Sequence, residues 1–322
     1  MSGNLRMIVL ALMAIIVAVM WGMAWMSKRF DAVASGIAAL DARHFDQLSG
    51  VAVGTGGTFE NHHRSGPAIG VGLGDDLILV DAGRGVAEAL RAAGIPAWQP
   101  SHVVLTQLLP ENTNGLDDLW LTGWLGPRET PLQILGPPGT EAFLEGLRGA
   151  HADQAAALAE RWSLPAAGGE LVAHDIDAPH ELLVGGMKLL LHPLPGGHPP
   201  ALGVRVEAGK QSLAIATTGH DPDAVVALAE GVDWLWSGAL YGASLEAAAE
   251  AGADPTEVLQ REAEAHLRLE DVGGIAGRAR ARGLVLIRLR PPPVFTSQYR
   301  NLVGETYRGA VVIAEDGELV TP

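Results

Sequence analysis

The feature that most limits how this 322-residue chain can fold is an uncharged apolar run from Met7 to Met26. Its 20 residues reach about 30 Å as a helix, the depth of a bilayer's hydrocarbon core. Arg6 precedes the run, Trp21 and Trp25 lie near its end, and Lys28 and Arg29 follow. Tryptophan and cationic side chains in those places suit a membrane interface. Two readings share these residues. One is an uncleaved anchor; the other is a signal peptide cleaved at Ala32-Val33-Ala34. The run is longer than a usual signal core and the small residues lie well past its end, so the anchor is preferred. Positive charges flank both sides, so orientation rests on the short N-terminal tail before a large domain. That order favours a single-pass protein with the tail inside and the domain extracytoplasmic, in the periplasm. The resulting organisation is a tail (1–6), a membrane anchor (7–26), a connector (27–50) and a folded domain (51–322). Phe30, Val33, Ile37 and Leu40 fall at helical spacing in the connector, opposite Asp31, Asp41 and Arg43.

Charge narrows the partners. The chain has 22 Lys and Arg against 37 Asp and Glu, a net charge of −15. A field of that sign repels phosphate backbones and disfavours nucleic acid. With no cysteine there are neither disulfides nor thiolate metal ligands.

From Val51 the pattern is short apolar strands broken by glycine. Val51-Ala52-Val53 runs into Gly54-Thr55-Gly56-Gly57, followed by a polar loop holding His62, His63 and Arg64. Ala68–Val71 and Leu77–Val80 flank Gly74-Asp75-Asp76 as a hairpin, closed by Asp81-Ala82-Gly83. The glycine turn lacks the P-loop Lys-Ser/Thr and the dinucleotide spacing. Helical periodicity predicts helices over 86–93, 116–119, 141–162, 224–229, 245–250, 256–268 and 271–282. Strands are predicted over 132–135, 182–184, 187–191, 203–208, 212–216, 284–289 and 307–314. Alternation such as Val204 and Val206 against Arg205 and Glu207 marks half-buried antiparallel strands.

One loop ties these pieces together. Thr106-Gln107-Leu108-Leu109-Pro110-Glu111-Asn112-Thr113-Asn114-Gly115-Leu116 resembles the metal-binding loop of the metallo-β-lactamase fold, ribonuclease Z-like branch, whose pattern is Thr-His-x-His-x-Asp-His-x-x-Gly-Leu. Gly54-Thr55-Gly56-Gly57, the Asp81-Ala82-Gly83 corner and Gly136-Pro137-Pro138-Gly139-Thr140 match the same branch, and the resemblance covers about residues 51–322. It implies an α/β (α+β) four-layer αββα sandwich of two mixed sheets, here behind an N-terminal transmembrane helix.

The family binds two metal ions, usually zinc, through seven positions, and the metals activate a water for attack on a phosphodiester or ester. Imidazole and carboxylate serve there because they donate electrons at neutral pH. This chain keeps Thr106, Gly115 and Leu116 but places Gln107, Leu109, Glu111 and Asn112 at the four ligand positions. The next motif matches at His198, within Gly197-His198-Pro199. The bridging aspartate position falls on Gly219 or, with a one-residue shift, His220, and Arg288 replaces a histidine in Leu284-Val285-Leu286-Ile287-Arg288. His266 matches a further family histidine. An apolar side chain and a fixed cation both disfavour a dication, so no cofactor is expected.

Two consequences are open. Arg288 and Glu111 sit where the family's ligands converge, which suggests an ion pair in the vacated space, since a buried arginine needs a partner. Alternatively, Glu111, His198, His220 and His266 form a new site for zinc or manganese. The leading reading is a catalytically inactive, membrane-anchored member of the fold that binds a small ligand or an envelope protein. Arg64, Asp81, His198, His220, His266 and Arg288 are the residues available to a ligand. The alternative is a metallo-hydrolase of phosphodiesters or esters. No Gly-x-Ser-x-Gly elbow points to a serine hydrolase. An open cleft favours a ligand; a filled cleft beside an exposed apolar patch favours a protein.

Overall fold

Leu77-Ile78-Leu79-Val80 shows how this chain builds its layers. Leu77 and Leu79 join one apolar cluster, Ile78 and Val80 another, and all four are shielded from water. A strand buried on both faces must lie in a sheet covered on both sides. The computed structural model describes residues 3–37, 40–58, 62–196, 199–217, 221–242 and 266–322. It divides into two units, Met1–Leu40 and Asp41–Pro322.

The first unit is one helix, α1 (Gly3–Ile37). Its Val9–Phe30 segment is long and apolar enough to cross a membrane.

The second unit contains two seven-stranded sheets. The first runs in the order β14 (Glu318–Val320), β1 (Phe45–Gly54), β2 (Ala68–Gly74), β3 (Asp76–Val80), β4 (His102–Val104), β5 (Leu132–Gly136), β6 (Leu171–Asp175). The second runs β13 (Ala310–Ile313), β12 (Gly283–Leu286), β11 (Trp234–Ser237), β10 (Gln211–Ala216), β9 (Ala201–Ala208), β8 (Met187–Leu194), β7 (His180–Val184). Read from β14 in one and β7 in the other, both sheets show three antiparallel pairings and then three parallel ones. The two halves therefore share a pairing pattern that no sequence repeat announces.

Ile78, Val80 and Val104 from one sheet meet Leu189, Val204 and Val285 from the other in the core between them. The outer face of the first sheet is covered by α2 (Val86–Ala92), α4 (Leu116–Leu125) and α5 (Thr140–Ala150). The outer face of the second is covered by α7 (Pro222–Leu228), α8 (Leu269–Arg278) and α9 (Thr296–Thr306). The short α3 (Pro110–Thr113) and α6 (Ala152–Trp162) complete the α-helices of the described residues, and one 3-10 helix spans Ala166–Gly169. This is the four-layer αββα sandwich that the resemblance implies.

Several boundaries differ from the periodicity. β1 starts at Phe45 and α1 runs to Ile37, so the 27–50 span is divided between helix and strand. The 141–162 helix is two, broken at His151, which takes φ −106 and ψ 6. The 284–289 strand stops at Leu286, because Arg288 has φ 54, a left-handed conformation that breaks the ladder. The 307–314 strand starts at Ala310, since Tyr307 ends α9. Helix 245–250 and most of 256–268 lie outside the described residues, and Arg268 itself is extended, ahead of α8.

The sheets approach tightly at Gly50. A Cβ there would lie 2.3 Å from Cζ2 of Trp236, which is fully buried on the facing sheet. Replacing Gly50 by valine is expected to destabilise the domain by about 1–3 kcal/mol through overpacking. The urea midpoint of the full chain in detergent measures this, and an unchanged midpoint would contradict such close packing.

Candidate functional site

The loop after β4 is held from both halves of the sandwich. Asp81 follows β3 in a left-handed conformation, φ 63. Its buried carboxylate accepts from the Thr106 backbone N–H at 2.8 Å and from the Thr106 hydroxyl at 2.8 and 2.9 Å. The Ala82 N–H donates to Asn112 O at 2.8 Å, and the Gly115 N–H donates to Ala82 O at 2.9 Å. A Cβ on Gly115 would sit 2.1 Å from Gly83 O, so only glycine fits where the corner and the loop touch. From the other sheet, the Leu202 N–H donates to Thr106 O at 2.8 Å, and Gln107 Nε2 donates to Pro199 O at 3.0 Å. Thr106 and Gly115 carry this framework, and Leu116 packs in the apolar core beside it. They hold no chemistry of their own.

Within the framework, α3 presents Glu111 to two arginines that follow β12. Arg288 is wholly buried and donates from Nη2 to Glu111 Oε1. Its Nη1 donates to Thr217 Oγ1 at 3.2 Å and lies 3.9 Å from Asp81 Oδ2. The Arg288 backbone N–H donates to Thr55 O at 3.1 Å. Arg290 Nη2 takes the second carboxylate oxygen, Glu111 Oε2, at 2.6 Å and also donates to Thr58 Oγ1 at 2.6 Å. The Thr58 hydroxyl in turn donates to Glu111 Oε2. The ion pair expected between Arg288 and Glu111 is present, with Arg290 as a second cation on the same carboxylate.

Electrostatics follow from burial. Burial alone would raise the Glu111 carboxyl, but the Arg288 and Arg290 guanidiniums and the Thr58 hydroxyl outweigh it and bring its pKa down to about 2. Burial dominates at Asp81 and raises its carboxyl, although Arg288 and the Thr106 donors work against it. Glu111 is thus far too weak a base for proton transfer near neutrality. His266 Nε2 accepts from Arg290 Nη1, so the lone pair that a metal would use is taken.

Gln107, Glu111, Asn112, Arg288 and His266 are drawn to this region. Leu109 is half-buried and precedes α3. Asn112 is buried, with Nδ2 donating to Thr106 Oγ1 at 3.0 Å, and its Oδ1 has no hydrogen-bond partner among the described residues. His198, Gly219 and His220 lie outside the described residues. Among the described residues, no group of three or more His, Asp or Glu could hold a metal ion. With Leu109 apolar, Arg288 buried as a cation, and Glu111 and His266 engaged by arginines, these residues do not fit the family's metal pair.

Arg64 is committed elsewhere. Its Nη1 donates to Thr55 Oγ1 at 2.8 Å and to Ala314 O at 3.2 Å, beside an open hollow of 480 Å³ lined also by His62, His63, Arg84 and Asp316. Arg278 and Arg280 pair with Asp223 and Glu230 on the surface, and Arg282 pairs with the buried Asp233. Sequence reasoning missed Arg290, Thr58 and Thr217 as members of the cluster. No strand alternation signals Arg290, because the chain has left β12 and Arg288 takes a left-handed backbone, φ 54, before it.

No family model matches the chain. It is 30% identical over 256 residues to a ribonuclease Z of Mycobacterium sp. (strain KMS), covering 74% of this chain and 83% of that one. It is 29% identical over 276 residues to a ribonuclease Z of Mycolicibacterium paratuberculosis, covering 82% and 94%. Among solved structures, the metallo-β-lactamase fold protein YhfI of Bacillus subtilis superposes with a TM-score of 0.64 at 20% identity, covering 86% of this chain and all of that one. That likeness shows the fold.

A carboxyl held at about 2 in the folded protein and near 4.5 when unfolded adds stability that is complete above the unfolded value. That stability drains as pH falls through the folded one. The contribution is on the order of 3 kcal/mol. Asp81 has the opposite sign, because protonating a raised carboxyl relieves its burial. Stability measured by urea from pH 6 to pH 2 is expected to fall through the Glu111 window, and Glu111→Gln should flatten that fall. An equal slope in both proteins would refute the assignment.

Proposed function

This chain belongs to the ribonuclease Z family, and from that premise we propose that it is a membrane-anchored member that has exchanged metal-dependent hydrolysis for binding a protein partner. The observation that carries this reading is the buried Arg288–Glu111–Arg290 cluster, in which Glu111 and Arg288 stand at positions where the family binds metal. A fixed guanidinium there repels a dication, and a carboxylate held at about 2 accepts no proton from an attacking water.

A protein is favoured over a small ligand because the described part of the site is filled by its own side chains. Arg288 is 0% and Glu111 8% exposed. Directly after Arg290, the chain presents Pro291-Pro292-Pro293-Val294-Phe295. Val294 is 87% and Phe295 70% exposed, adjacent apolar side chains of the kind that mark contact surfaces. The Val9–Phe30 helix supports anchoring, and an extracytoplasmic domain is part of the proposal. The net charge of −15 weighs against nucleic acid as the partner.

Elemental analysis of the full chain in detergent tests this, after exchange into metal-free buffer and again after zinc or manganese loading. The expected result is less than about one tenth of an equivalent of metal in both samples, as a site without ligands retains none. A stoichiometric, retained metal would overturn the reading. It would support a hydrolase site drawing on His198, His220, His266 and Glu111, to be mapped by substituting each in turn.

A further inference from the structure

We propose that the open hollow beside Arg64 binds a small anion, recognised through a carboxylate or phosphate group. The hollow is separate from the filled cluster, so the inference goes beyond the protein-partner reading and does not depend on it.

The hollow measures 480 Å³, inside the range of about 300–1,000 Å³ for small-ligand sites. Arg64 and Arg84 line it together with His62, His63, Ser65 and Asp316. The histidines add ring N–H donors to the two guanidiniums. In a chain of net charge −15, two arginines around one hollow make a local field that attracts anions.

The carboxylate in this lining is engaged by the frame. Asp316 Oδ1 accepts from the Thr55 N–H at 2.8 Å and from the Thr55 hydroxyl at 2.6 Å, and its Oδ2 accepts from the Ser65 N–H at 2.6 Å. Arg64 is held differently. It donates from Nη1 alone, to Thr55 Oγ1 and Ala314 O, and both acceptors are neutral. Among the described residues its Nε and Nη2 make no hydrogen bond and it forms no ion pair. Arg288 and Arg290, by contrast, each meet a carboxylate. Nε and Nη2 form one edge of a guanidinium, the fork that takes two oxygens of a carboxylate or a phosphate.

The frame is also set in advance. The Gly56 N–H donates to Ser65 O at 2.8 Å, the Gly66 N–H to Arg84 O at 2.9 Å, and Arg84 Nη1 to Gly57 O at 3.0 Å. Side chains fixed at their bases lose little freedom when a ligand arrives. Residues 55–57 form the wall between the hollow and the buried cluster. Thr55 accepts from the Arg288 N–H through its carbonyl and from Arg64 through its hydroxyl. Gly57 accepts from Arg84, and a Cβ on it would lie 3.1 Å from Arg290 Nε.

The test is isothermal titration calorimetry of the full chain in detergent, with citrate and with inorganic phosphate, at ionic strength held constant with NaCl. The expected result is saturable binding of one equivalent of at least one of the two, with a Kd below about 1 mM. Arg64→Gln is expected to weaken that binding at least about tenfold, the scale of lost charge-assisted hydrogen bonds. His62→Glu places a carboxylate that competes for the same edge of Arg64, and should weaken binding as much. Arg300→Gln removes an exposed charge outside the lining and should change nothing. If Arg64→Gln yields no folded protein, Arg84→Gln and His62→Glu carry the comparison.

No saturable binding of either anion would overturn this inference and leave the protein-partner reading standing. Binding that survives both Arg64→Gln and His62→Glu would put the anion elsewhere and overturn it equally.

Discussion

A guanidinium cut off from water is tolerated only where other groups replace the hydration it has lost. Arg288 finds a carboxylate in Glu111, a second at 3.9 Å in Asp81, and a hydroxyl in Thr217. The desolvation penalty for such a charge is several kcal/mol, and only close pairing offsets it. The loop from Thr106 to Leu116 therefore has to stay where it is, because it supplies Glu111. The end of β12 has to leave the ladder, because Arg288 reaches its partners from a left-handed backbone at φ 54. Arg290 then lies close enough to bind the other oxygen of the same carboxylate, with Thr58 and His266 around it.

The same interaction explains how a fold associated with metal chemistry persists without the usual ligands. Much of the framework around the site is backbone and small side chains. Asp81 ties down Thr106, Ala82 exchanges hydrogen bonds with Asn112 and Gly115, and Leu202 holds the loop from the second sheet. None of these contacts requires a metal. The buried space between them still needs its charges compensated, and two arginines on one glutamate do so. A sequence comparison reports the surviving framework, whereas the chemistry belongs to the positions that changed.

The sequence carried the fold in its alternation and its glycines. Leu77-Ile78-Leu79-Val80 reads as a strand buried on both faces, and Gly115 marks a contact too close for any side chain. The Arg288–Glu111 pair was also legible, because two opposite charges replaced ligands expected to converge. Arg290 was not, since it is one arginine among several that follow α8, and only the departure of the chain from β12 turns it inward. β11 escaped notice because Trp234-Leu235-Trp236-Ser237 is too short to show a period, although Trp236 fills the core opposite Gly50. Helix ends and the break at His151 depend on local backbone angles, which periodicity does not encode.

Central to this account is direct coupling between Glu111 and Arg288 across the two halves of the sandwich. A double-mutant cycle measures it most directly, with urea unfolding of the native chain, Glu111→Gln, Arg288→Met and the double variant, all in the same detergent. A buried pair in contact predicts a coupling energy of about 2 kcal/mol or more, with the double variant more stable than the sum of the single losses implies. Additivity within about 0.5 kcal/mol would mean that the two side chains do not depend on each other, and the account of the site would fail.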